Sequence, residues 1–212
     1  MVSIKTLRED KILGFLGPFE TRLKKKLAQK IPHYIKSYCL TLSTILWAGG
    51  AIFFGILSQG NLNYIWGISL MIFFHYLTDL IDGEVGKLTN DGLPKWAFFM
   101  DHFLDYIFLC AIIIGYGFII PSGFNSTLFI FFIILSSIMV NIFLNFGATN
   151  EFRIAYLGIG PTETQLFLVI INTFIIFLGT NFLIKILPFV TVLGFLFMCF
   201  VFYKTHKALW RT

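Results

Sequence analysis

The sequence predicts an all-α, polytopic membrane protein, with six transmembrane helices preceded by an N-terminal amphipathic interfacial helix. Three observations carry this. Of the 212 residues, 57% are hydrophobic and 27 are phenylalanine. Only 13% are charged, about half of the roughly 25% that a water-soluble domain uses to cover its surface. The apolar residues are also gathered into six continuous runs, each near the roughly 20 residues that a helix needs to cross the hydrocarbon core. The aromatic content and low charge exclude a disordered chain. The runs lack the alternation of a membrane barrel strand.

Taken in order, the runs extend from Tyr38 to Leu57, Asn63 to Leu80, Ala97 to Ile120, Thr127 to Phe146, Thr164 to Thr180 and Ile186 to Tyr203. Short polar or Gly/Pro-containing stretches separate them, with no internal repeat and no long linker. Residues 1–36 therefore read as a cytoplasmic basic amphipathic segment and residues 37–212 as one six-helix membrane domain. Cys39, Cys110 and Cys199 all fall in apolar runs, so no disulfide framework is suggested.

Six spans place both termini on one side. Nine basic residues precede Tyr38, two lie between Ile81 and Trp96, one between Gly147 and Glu163, and three follow Tyr203, so that side holds 15 of the 16. Only Lys185 falls opposite. The positive-inside rule then makes the shared side cytoplasmic. It also accounts for the net charge of +5 without nucleic acid as a partner. The first 36 residues hold no apolar run of signal-peptide length. Between Thr6 and Lys30, Leu7, Ile12, Leu13, Phe15, Leu16, Phe19, Leu23 and Leu27 can share one broad face with lysines opposite. This reads as a helix lying on the leaflet, the alternative being a solvated basic tail.

The 11 acidic residues all fall on the predicted cytoplasmic side or at its membrane boundary. Asp79 and Asp82 end the second span, at i and i+3. Asp101 and Asp105 begin the third, at i and i+4. Each spacing sets two side chains on one helix face. A carboxylate inside a membrane costs roughly 2.5–3.5 kcal/mol, and two of them about 4 Å apart repel by on the order of 4 kcal/mol at intermediate dielectric. Protonation relieves this, and so does a cation. Four carboxylates from two helices suit a hard ion, Mg2+ or Mn2+; the alternative is four solvated acids at a helix boundary. Gly83 and Gly86 allow close approach of a ligand, or serve helix packing, and Lys87 adds a cation. Acids, glycines and a cation within nine residues look like a metal–diphosphate site.

The run Asp79-Leu-Ile-Asp82-Gly83-Glu-Val-Gly86-Lys87, followed by Ala97-Phe-Phe-Met-Asp101-His-Phe-Leu-Asp105, resembles the signature of the CDP-alcohol phosphatidyltransferase family, D-x-x-D-G-x-x-A-R and, after a short spacer, G-x-x-x-D-x-x-x-D. All four aspartates and the first glycine match. Gly86 stands for Ala, Lys87 for Arg and Ala97 for Gly; Lys keeps the charge but loses the planar bidentate fork. Leu40-Thr41 is similar to part of the family's Asn-x-Leu-Thr segment. Gly160-Pro161-Thr162-Glu163 is similar to a Thr-Glu segment of choline and ethanolamine phosphotransferases.

The resemblance implies an integral membrane enzyme of phospholipid biosynthesis that moves a phosphoalcohol group from a CDP-alcohol donor to an acceptor hydroxyl and releases CMP. It implies Asp79, Asp82, Asp101 and Asp105 as metal ligands for Mg2+ or Mn2+, Asp105 also as general base, and Gly83, Gly86 and Lys87 at the nucleotide. The acceptor is a lipid or a small alcohol, and the site lies at the cytoplasmic interface. Family members are often homodimers, and the resemblance carries that expectation. Glu163 and Arg153 are candidates to shape the acceptor site. His75 and His102 flank the acids, with His102 read as a packing or supporting residue. A transporter would spread its acids through the bilayer depth, a prenyltransferase would use two separated acid motifs, and a third alternative is a member that has lost activity.

Overall fold

The computed structural model describes residues 15–32, 34–90, 94–150 and 152–210. Among these residues seven α-helices follow one another: α1 Gly17–Ala28, α2 Ser37–Ser58, α3 Ile65–Thr89, α4 Pro94–Ile119, α5 Asn125–Thr149, α6 Pro161–Leu178 and α7 Thr180–Leu209. Among the described residues there is no strand, only a bridge between Tyr156 and Ile159. Helices α2 to α7 supply six segments long and apolar enough to cross a membrane. Their outer surface is aliphatic and aromatic, with Phe53, Phe73, Phe129, Phe177 and Phe195 exposed. In water that surface would be untenable; against lipid it is matched, and the chain is an integral membrane protein.

The helices outrun the apolar runs. The second span continues from Leu80 to Thr89 and ends at Asn90, whose left-handed backbone (φ 49°) closes the last turn. Apolarity marks where the membrane stops, whereas the helix persists for as long as its backbone bonds do. Asp82, Gly83, Gly86 and Lys87 are thus all helical, beyond the Leu80 at which the apolar run ends. The sixth span begins at Thr180 instead of Ile186, because Gly179 (φ 77°) alone makes the turn from α6 to α7. Lys185 therefore lies within α7.

Helix α2 packs extensively against both α3 and α4, while α5 pairs with α7 and α6 leans on α3. Two glycines set the α2–α4 crossing. A Cβ on Gly55 would lie 2.5 Å from Gly115 Cα and 2.8 Å from its carbonyl oxygen. Ala48, Ala51, Ile65, Ile68, Ile72, Phe108 and Ile112 fill the core around that crossing. Helix α6 is tied in by polar glue. Fully buried Asn172 accepts from Tyr116 Oη (2.7 Å) and donates to Ser69 Oγ (2.9 Å). Hydrogen bonds of this kind carry helix association where lipid removes the hydrophobic drive.

Helix α1 lies against α3, with Tyr76 Oη on Glu20 at 3.5 Å. Pro18 opens it, where its missing N–H costs nothing. Ahead of the helix, Phe15 N donates to Gly158 O (3.0 Å) and Leu16 N to Glu163 Oε1 (2.9 Å). The part of the expected surface helix that covers residues 6–14 lies outside the described residues.

Candidate active site

Three spanning helices meet at the end of the bundle where α1 lies. Helix α2 brings Thr41, α3 brings His75, Asp79 and Asp82, and α4 brings Asp101, His102 and Asp105. Asp82 is buried, and Thr41 Oγ1 donates to its Oδ2 at 2.9 Å. Burial strips Asp82 of water, and the charges of Asp101 and Asp79 bear on it. The Gly83 backbone also donates to Asp82.

Asp101, His102 and Asp105 form a tight group, each offering a ligand atom within 4.8 Å of the others'. His102 Nδ1 lies 3.2 Å from Asp101 Oδ2 and 3.9 Å from Asp105 Oδ2. Its ring stacks on Phe152 and sits edge-on to Phe98. His102 is thus packed among aromatic rings, and it is also one of three residues that could each offer an atom to an ion. Asp79 and Asp82 stand outside the tight group but within its field. Direct contact between the two acid-bearing helices comes from His75, whose Nε2 lies 3.2 Å from Asp105 Oδ1.

Gly83 and Gly86 lie on α3 with Lys87, whose Nζ pairs with Glu84 Oε2 at 3.0 Å. An exposed i,i+3 pair of this kind holds loosely, so Lys87 is available to an incoming anion. Glu163 is occupied structurally: its Oε2 accepts from Gly160 N (2.8 Å), its Oε1 from Leu16 N. It caps α6 and fastens the segment before α1, a role its position after Gly-Pro-Thr signals as an N3 acid. Arg153 lies over the Tyr156 ring, 5.5 Å from its centroid. Sequence reasoning did not foresee that Gln165 reaches the site: its Nε2 is 3.1 Å from His75 Nδ1.

The donor chemistry fits a hard divalent ion. It offers carboxylate oxygens at close quarters with an imidazole alongside. Fold and site together define a membrane-embedded helical protein with an acid-lined pole. The CDP-alcohol phosphatidyltransferase family model matches residues 36–204, and the chain belongs to that family. No individual curated protein matches the chain. Membership makes it a membrane phosphotransferase, in a family that is generally divalent-metal dependent and that uses a CDP-alcohol donor and a hydroxyl acceptor.

Proposed function

We propose that the protein transfers a phosphoalcohol group from a CDP-alcohol to an acceptor hydroxyl, releases CMP and serves phospholipid synthesis. The observation that carries this is the meeting of the two halves of the acid motif: α3 and α4 touch through His75 and Asp105, and the Asp101 charge bears on buried Asp82.

In this reading Asp79, Asp82, Asp101 and Asp105 hold Mg2+ or Mn2+. When bound, the ion offsets the diphosphate charge and makes CMP a better leaving group. Thr41 orients the Asp82 carboxylate. Gly83 and Gly86 let the nucleotide approach α3, and Lys87 leaves Glu84 to meet a phosphate oxygen. Asp105, about one-third exposed, accepts the proton of the acceptor hydroxyl as general base. Residues 37–212 form the catalytic unit, with residues 1–36 lying on the cytoplasmic face. That orientation rests on the 15 basic residues gathered on one side. It lets a soluble nucleotide meet a lipid.

The test is CMP release by purified protein with Mg2+ or Mn2+. CDP-diacylglycerol with serine or glycerol 3-phosphate, and CDP-ethanolamine or CDP-choline with dioleoylglycerol, make the panel. Release that needs donor, acceptor and metal supports the reading. Folded protein that releases no CMP from any pair refutes it.

A further inference from the structure

His75 is buried in the middle of a membrane-spanning helix, and packing alone does not explain its polar contacts. Its ring lies flat on Phe108, 4.0 Å between centroids and 3° from parallel. That stack fixes the imidazole plane and aims its two nitrogens in opposite directions. Nε2 faces Asp105 Oδ1 at 3.2 Å. Nδ1 faces Gln165 Nε2 of α6 at 3.1 Å. Among the described residues the Gln165 Oε1 is buried without a hydrogen-bond partner.

We infer that Gln165, hydrogen-bonded to His75, and His75, set against Asp105 Oδ1, form a polar relay that positions the Asp105 carboxylate for proton abstraction. The chemistry of the ring decides the direction. A neutral imidazole has one N–H and one lone pair. Facing a carboxylate, Nε2 must carry the hydrogen, so Nδ1 must accept, and the Gln165 amide supplies the donor. The Asp105 carboxylate thus sets the tautomer, and Gln165 on α6 turns its amide donor to the bare Nδ1. Oδ1 of Asp105 is turned to His75 while Oδ2 is turned to His102, 3.9 Å from its Nδ1. At 3.2 Å the Nε2–H meets Oδ1 off its axis and makes no hydrogen bond in this structure. Alignments of this kind tighten when substrate fills a site. His75 is a positioning residue, and its role rests on the reading of Asp105 as general base.

Two measurements test the relay. Nitrogen-15 NMR of histidine-labelled protein in detergent reads the tautomer directly, with His75 assigned by its absence in His75→Phe. The expected spectrum has a protonated Nε2 and a bare Nδ1. A proton on Nδ1 in the wild type overturns the inference. For turnover, the donor–acceptor pair from the panel above that releases CMP is used. His75→Phe keeps the stack on Phe108 but removes the donor. It should lower kcat by about ten- to a hundredfold, the usual cost of losing a supporting hydrogen bond, with KM for the CDP-alcohol nearly unchanged. His75→Gln, which restores an N–H near the Nε2 position, should recover much of the loss. A purely structural histidine would lower the melting temperature without this kcat-specific loss or its rescue. If His75→Phe does not fold, Gln165→Leu carries the same kinetic test. Asp105→Asn is measured in parallel. Near-normal turnover there removes the base itself, and the relay with it. An inactive Asp105→Asn beside a fully active His75→Phe overturns the relay alone.

Discussion

Replacing Gly55 with alanine adds one methyl group where α2 crosses α4. The added Cβ would sit 2.5 Å from Gly115 Cα, 2.8 Å from its oxygen and 3.0 Å from its carbonyl carbon. Ordinary contact begins near 3.4 Å, so the crossing must open by about 0.9 Å. The obstruction is backbone, and no side chain can swing aside to relieve it. Overpacking of this kind costs about 1–3 kcal/mol. Removing a helical glycine returns up to about 1 kcal/mol of propensity, which leaves a net cost of up to about 2 kcal/mol. A chain of this length loses roughly 2–4 °C per kcal/mol, so the melting temperature in detergent should fall by up to about 8 °C. Gly49→Ala is the control: it lies on the same helix, and nothing stands within 4 Å of its added Cβ. That variant should match or exceed the wild type. Tryptophan fluorescence on heating, with size-exclusion chromatography of the heated sample, reads both. If Gly55→Ala and Gly49→Ala melt together, the close crossing of α2 and α4 is wrong.

Four further outcomes follow from the same geometry. Asp105→Asn should abolish CMP release and leave CDP binding largely intact; near-normal turnover would remove it as base. Asp82→Ala should eliminate metal-dependent CDP binding, measured by titrating CDP with and without Mn2+, and unchanged affinity would exclude it as a ligand. Lys87→Arg should hold or raise turnover, because Arg keeps the charge and adds a bidentate fork; a large loss would point to another contact. Asn172→Leu strands Tyr116 and Ser69, which share its hydrogen bonds. It should destabilise the protein by about 1–3 kcal/mol, seen as a lower melting temperature with α6 the first segment cut by protease; an unchanged melting temperature would argue against that network.

Much of this protein is written locally. Whether a segment crosses a membrane depends on its own hydrophobicity, so six spans could be read from the sequence, with errors only at their ends. The second span was read too short because Asp82, Glu84 and Lys87 lower the apolarity while still favouring helix. The acid positions were equally plain, since i,i+3 and i,i+4 spacings place side chains on one face without any knowledge of the neighbours.

What the sequence alone determined is therefore the membrane class, the number of spans and which residues could meet at one pole. Only the tertiary structure decided which of them touch. Thr41 and Asp82 are 41 positions apart, and Gln165 and His75 are 90. Such pairings follow from which helix lies beside which, and that is settled by features invisible to periodicity. Gly55 meeting Gly115 is one, the Asn172 hydrogen bonds are another, and Glu163 joining the chain before α1 to the start of α6 is a third. Side chains brought together by packing take their roles from atoms that local sequence never places next to them.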